Sequence, residues 1–143
     1  MREILFRGKR ADNEKWKSGL LCKQLDLDGT DELCIQTWDR EAQGVSSRVV
    51  AVIPSTVGQY TGLTDKNGKK VFEGDILKHF NKPTIQAEAY DIYKVEFDEV
   101  RCMFVGRINT AVTAELKKYL GDYYEVIGNI YDNPELLVGK ENE

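Results

Sequence analysis

Apolar and polar residues alternate in short runs along most of the chain, the two-residue period of strands with one buried face. Ile4 and Phe6 alternate with Leu5, Arg7 and Lys9, and Trp16, Ser18 and Leu20 alternate with charged or small neighbours. The polar stretch Arg10 to Glu14 between them predicts an N-terminal β-hairpin. Leu33 to Trp38 predicts a strand, Asp39 to Ser47 with Gly44 a polar loop, and Arg48 to Ile53 (RVVAVI) a buried strand that Pro54 ends. Ser55 is placed to cap a single turn over Thr56 and Val57.

Thr56 to Lys78, reading TVGQYTGLTDKNGKKVFEGDILK, carries the densest turn signals. Asn67-Gly68 predicts the tip of a hairpin in a primed turn, with Gly68 at positive φ. Gly58 and Gly62 bracket Gln59-Tyr60-Thr61, a segment expected to turn twice. Gly74 interrupts strand-like sequence and predicts a bulge or sharp bend. The glycines match neither GxGxxG nor GxxxxGK[ST], so a phosphate cradle is not supported.

Downstream, Asn81 to Ala89 with Pro83 reads as a loop. Asp91 to Phe97 and Cys102 to Ile108 read as strands, joined through Asp98 to Arg101. Ala111 to Leu120 is the best helix candidate: Thr113 can cap, Leu116 and Leu120 are spaced i,i+4, and Gly121 stops it. Tyr123 to Tyr131 returns to strand with a bulge at Gly128, Asn133-Pro134 starts a closing turn docking Leu136 and Leu137, and the tail frays from Gly139. The expected fold is mainly β. Residues 1–54 form an N-terminal β-hairpin or sheet subdomain, and residues 55–143 form a small barrel or roll with one short helix. No linker or repeat separates the halves, so they are expected to pack closely.

GQYTGLTDKNGKKVFEGDILK resembles the signature of the YopX family of phage and prophage proteins. REILFRGKR with KWKSGLL resembles that family's N-terminal hairpin, and EVIGNIYDNPELL its C-terminal end, so the three blocks span Arg2 to Leu137. The resemblance implies an SH3-like barrel in the C-terminal part and a phage-encoded accessory role. It implies no catalytic or binding residue, and none is carried over.

The net charge of −4 and the three cysteines narrow the classes further. An acidic chain weighs against general nucleic-acid binding. No apolar run approaches the roughly 20 residues of a membrane span. Arg2, Glu3, Arg7, Lys9 and Arg10 leave no apolar core for a signal peptide, so residence in the cytoplasm of the bacterial host is expected. Cys22, Cys34 and Cys102 are widely spaced and His79 is the one histidine, so neither a metal, a disulfide nor any cofactor is expected.

Candidate chemistry is sparse. Arg2, Arg7, Lys9, Arg10, Lys15 and Lys17 make the first hairpin basic, and Trp16 among them is either a stacking platform for nucleic acid or a core residue. Asp26, Asp28, Asp31 and Glu32 around Gly29 lack calcium-loop spacing and read as a solvated turn. His79 follows a strand with no nucleophile assignable beside it. Glu73 and Asp75, two apart, can share a strand face as an acid-base or metal pair, or serve a turn; Glu96, Asp98 and Glu99 are the other nearby carboxylates. Tyr60 is either an exposed anchor for a partner or a buried plug. The expected function is non-enzymatic contact with a protein partner, with self-association open; the alternative is nucleic-acid binding through the basic hairpin.

Overall fold

The computed structural model describes residues 1–41, 44–80, 90–108 and 113–141. The chain divides into two units, Met1–Tyr60 and Thr61–Glu143.

In the first unit the expected hairpin forms from β1 (Phe6–Lys9) and β2 (Trp16–Leu25). The Glu14 amide donates to Arg10 O at 3.0 Å, and Glu14 has φ 58°. β2 serves two ladders: Trp16–Gly19 pairs with β1, and Leu20–Leu25 pairs with β3 (Asp31–Glu41). Gly19 stands where the partner changes, and a Cβ there would lie 1.9 Å from Gln36 O. Only a residue without a side chain admits that approach. β2 and β3 are joined through Asp26–Thr30: Gly29 N donates to Asp26 O at 3.0 Å, Asp26 N donates to Thr30 O at 3.0 Å, and Gly29 has φ 83°. Asp28 Oδ1 accepts from Thr30 N at 3.0 Å and Oγ1 at 2.7 Å. The acidic residues therefore build a type I turn closed by a left-handed glycine.

Of the loop expected from Asp39 to Ser47, the described residues continue the strands, and 42–43 lie outside the described residues. β3 runs to Glu41, and β4 (Gly44–Ala51) pairs with it from Glu41↔Gly44 to Cys34↔Ala51. Polar residues alternating on an extended hairpin satisfy the strand period as well as apolar ones, which is why composition alone misled there. RVVAVI is buried only in part: Val50 and Val52 are core, whereas Arg48 and Val49 are exposed. The core is Ile35, Val50 and Val52, with Phe6, Leu21, Leu33 and Val57 packed on it. A 3-10 turn, Pro54–Thr56, follows, without a side-chain cap from Ser55. The buried Thr56 hydroxyl ties it instead, accepting from Lys9 N at 2.9 Å and donating to Ile53 O at 2.6 Å. β5 (Gly58–Thr64) then pairs through Gly58 and Gln59 with β1 and crosses the division of the chain. The double turn expected around Tyr60 is absent: β5 is one strand that absorbs Gly62 at φ 89°.

In the second unit, the end of β5 and β6 (Lys70–Phe72) flank the Asn67-Gly68 tip. Gly68 has φ 78°, as expected, but Asn67 stays outside the left-handed region. The turn is again type I with a left-handed glycine: Gly68 N donates to Asp65 O at 3.0 Å and Asp65 N to Lys69 O at 2.8 Å. The sharp bend expected at Gly74 is a two-residue turn into β7 (Asp75–Phe80), with Gly74 at φ 87°. β8 (Tyr90–Asp98), β9 (Met103–Arg107), β10 (Thr113–Glu115) and β11 (Tyr124–Asn129) complete an antiparallel sheet of order β10-β9-β8-β7-β11. This sheet is open, not a closed barrel: β10 and β11 stand at its two edges. The expected bulge in the last strand lies between Val126 and Gly128.

The helix expected over 111–120 is not there. Thr113–Glu115 is β10, Lys118–Tyr123 is a 3-10 turn, and residues 111–112 lie outside the described residues, as does the loop 81–89. Two leucines do not make an apolar stripe wide enough to hold an isolated short helix. The one α-helix among the described residues, α1 (Glu135–Glu141), instead begins just after Pro134, where a closing turn was expected, and continues past Gly139. The core of this unit is Leu63, Val71, Leu77, Tyr93, Val95 and Tyr124, with Ala114, Leu116 and Val126 packed on it. No helix among the described residues is long and apolar enough to cross a membrane.

Candidate functional site

The register of the first unit sets an apolar face in solvent. Leu20, Gln36 and Val49 form one row across β2, β3 and β4, and Trp38 with Ser47 forms the next. Strand side chains alternate between faces, so this row and its neighbours lie opposite the core row of Leu21, Ile35 and Val50. Leu20 is 45% exposed, Trp38 50%, Val49 47% and Val45 65%. Singly such residues need no explanation, but four on one sheet face make a patch.

The patch borders an edge. β4 is the outermost strand beside β3. Val52 N donates to Leu33 O at 3.0 Å, so the alternate residues Val50, Arg48, Ser46 and Gly44 aim their backbone groups at β3. Val45, Ser47, Val49 and Ala51 then aim theirs outward. Ala51 O accepts from Ala11 N at 3.0 Å, which covers the far end of the edge.

Beside that end lies a cleft of about 500 Å³ whose lining includes Arg10, Asp12, Glu32 and Arg48. Arg10 donates to both oxygens of Asp12, at 2.9 and 2.6 Å, and this hydrogen bond holds the Asp12 carboxyl below its ordinary range. With two cations and two carboxylates the lining has no excess of either sign.

The basic hairpin is organised around its own aromatic. Lys9 is the register partner of Trp16, and the Arg7 guanidinium and Lys9 ammonium lie 4.8 and 5.6 Å from the Trp16 ring centroid. These cation–π contacts place the chain's own cations where a nucleic-acid base would stack.

The other candidates are brought to structural positions. Tyr60 is buried, 8% exposed, which overturns its reading as an exposed anchor. A pleated strand hides alternate side chains even where glycines flank them. His79 lies between Asp91 and Tyr124 in register, its ring 4.8 Å from Tyr124 and 5.4 Å from Tyr93, with Nδ1 3.5 Å from the Tyr93 hydroxyl. Burial raises the pKa of both tyrosines, aided at Tyr93 by Asp91. Asp75 Oδ2 accepts from Phe72 N at 2.8 Å, whereas Glu73 lies in the turn itself. The turn role therefore accounts for Asp75. Glu96 is bonded to Lys94 and Arg107. Cys22 and Cys34 are register partners and all three cysteines are free thiols; burial pushes the Cys34 thiol up. No group of three or more His, Cys, Asp or Glu among the described residues is placed to hold a metal ion.

Sequence reasoning missed Asp65. It is 5% exposed; Oδ1 accepts from Asn67 N and Lys69 N, both at 2.9 Å, and Oδ2 accepts from Val126 N at 3.0 Å. Its position two residues before Asn67 was a turn-capping signal. The bond to a strand 61 residues away had none.

The model of the YopX protein family matches residues 5–138. The crystal structure of protein EF1440 from Enterococcus faecalis is similar, with a TM-score of 0.57 at 22% identity, over 96% of this chain and 99% of that one. The X-ray structure of protein yopX from Bacillus subtilis has a TM-score of 0.51 at 19% identity, over 96% of this chain and 97% of that one. At these identities the likeness concerns the fold. No protein of curated function matches the chain.

Proposed function

The chain belongs to the YopX protein family, and on that premise we propose that it is a non-enzymatic accessory protein acting by contact with a protein partner. The observation that carries this is the apolar face of Leu20, Trp38, Val45 and Val49 beside the outward backbone of β4. An extended partner segment gains main-chain hydrogen bonds at such an edge and side-chain contacts on such a face. A phage or prophage origin, residence in the cytoplasm of the bacterial host, and an SH3-like description of the second unit belong to the same proposal. The last is supported by its five antiparallel strands with a 3-10 turn before the final one.

The test is capture from host lysate by the parent chain, Trp38→Ala and Trp16→Ala. The proposal expects loss of the captured protein with Trp38→Ala alone. Capture unchanged by Trp38→Ala refutes it. The second reading, nucleic-acid binding through Arg7, Lys9 and Trp16, expects retention on a DNA or RNA column that falls steeply with salt. Elution in the void volume at low salt removes it.

A further inference from the structure

We infer that the open stretch of β4 pairs antiparallel with β4 of a second copy of this chain, about a two-fold axis at Ser47. The inference rests on the interaction-surface reading above and names its occupant.

Proteins ordinarily blunt strand edges with short strands, charge or cover. The sheet edges of the second unit follow that rule. β10 is three residues long. β11 is covered, because Lys66 N donates to Tyr124 O at 3.0 Å and Val126 N donates to Asp65 Oδ2 at 3.0 Å. Among the described residues, β4 follows it at Ala51, whose carbonyl takes Ala11 N. From Val45 to Val49 its one charged residue is Arg48.

The sequence of this stretch is self-complementary in one register. Outward residues must meet outward residues, so Val45, Ser47 and Val49 pair among themselves. An axis at Arg48 sets Arg48 against the partner's Arg48, like charges directly opposite, which is destabilising. An axis at Ser46 leaves Val49 facing a position before β4 begins. An axis at Ser47 faces Val45 with the partner's Val49 and Arg48 with the partner's Ser46, each twice. A five-residue ladder is only about 17 Å long. So short an edge contact buries less than the roughly 1,200 Å² typical of stable complexes, so the dimer is reversible and depends on concentration.

The experiment is sedimentation equilibrium of the full chain from about 1 µM to about 1 mM, the span over which weak association becomes visible. The parent mass is expected to rise toward twice the monomer. Amide exchange at Val45, Ser47 and Val49 is expected to slow in step. Ser47→Pro removes an outward N–H without touching the ladder to β3, and Val49→Lys charges the edge from its exposed face. Both are expected to stay monomeric with parental circular dichroism. A parent monomeric throughout, or a dimer that both variants leave intact, overturns the inference. If the parent is monomeric while Trp38→Ala still abolishes partner capture, only the second copy is refuted. If capture is also independent of Trp38, the surface reading falls with it.

Discussion

Replacing Asp65 tests the claim that one carboxylate secures both a turn and an edge strand. Two of its three hydrogen bonds go to Asn67 N and Lys69 N at an exposed tip, where water can substitute. Each is worth about 0.5–1.5 kcal/mol. The third, from Val126 N at 3.0 Å, comes from half-buried β11, where losing it leaves a donor that water reaches poorly. Its loss costs about 1.5–3 kcal/mol. Asp65→Ala is therefore expected to lose about 3–5 kcal/mol, a large part of a typical total stability of roughly 5–15 kcal/mol. Asp65→Asn separates the parts. Its amide oxygen keeps the turn bonds, but its NH₂ faces the Val126 N–H, so about 2 kcal/mol is lost. Both tryptophans, Trp16 and Trp38, lie in the first unit, so a readout from the second unit itself is needed. Urea unfolding followed by far-ultraviolet circular dichroism, with amide exchange at Val126, provides it. An Asp65→Asn variant as stable as the parent, with Val126 still protected, refutes the reasoning.

Gly19→Ala drives a Cβ to 1.9 Å from Gln36 O, a backbone atom, and is expected to destabilise by about 3 kcal/mol or more; an unchanged melting temperature counts against the corner geometry. Gly68→Ala meets nothing within 4 Å, so only the left-handed backbone is penalised, at about 1 kcal/mol in urea titration. The Asp98 carboxyl is held below its ordinary range, first by the Arg101 N–H and then by the Arg101 guanidinium and Val100 N–H. Burial raises Glu96, but Lys94 and Arg107 more than offset it. Groups lowered on folding stabilise fully above about pH 4–5 and lose that contribution as pH falls. Asp98→Asn is thus expected to flatten the stability profile between about pH 5 and pH 3, and a profile parallel to the parent's refutes this.

Local chemistry was legible and distant chemistry was not. Arg10 to Glu14, Asp26 to Thr30 and Asn67-Gly68 were readable as turns, because each is set by residues within five positions. The turn type at Asn67 is the local exception: the Asn-Gly pair outweighed the capping signal of Asp65, whose carboxylate takes the Asn67 and Lys69 amides in the type I turn. The helix at 111–120 failed for a related reason. Pairing of Thr113, Ala114 and Glu115 with Arg107, Gly106 and Val105 in β9 outweighed weak local propensity. The double turn around Tyr60 was misread because flanking glycines suggested turns, whereas Gly62 is absorbed within a strand; the burial of Tyr60 fits the plug alternative over the exposed anchor. The apolar face escaped notice because Leu20, Trp38 and Val49 are far apart in sequence and meet only through the β2–β3–β4 register.

A strand enrolled in two ladders couples their fates. Trp16–Gly19 and Leu20–Leu25 are one continuous backbone, so releasing either half removes the anchor of the other. Neither ladder therefore opens as an independent foldon. Amides on β1 and those on β3 that bond to β2 are therefore expected to exchange with one opening free energy, the corner at Gly19 being where that cooperativity passes from one ladder to the other.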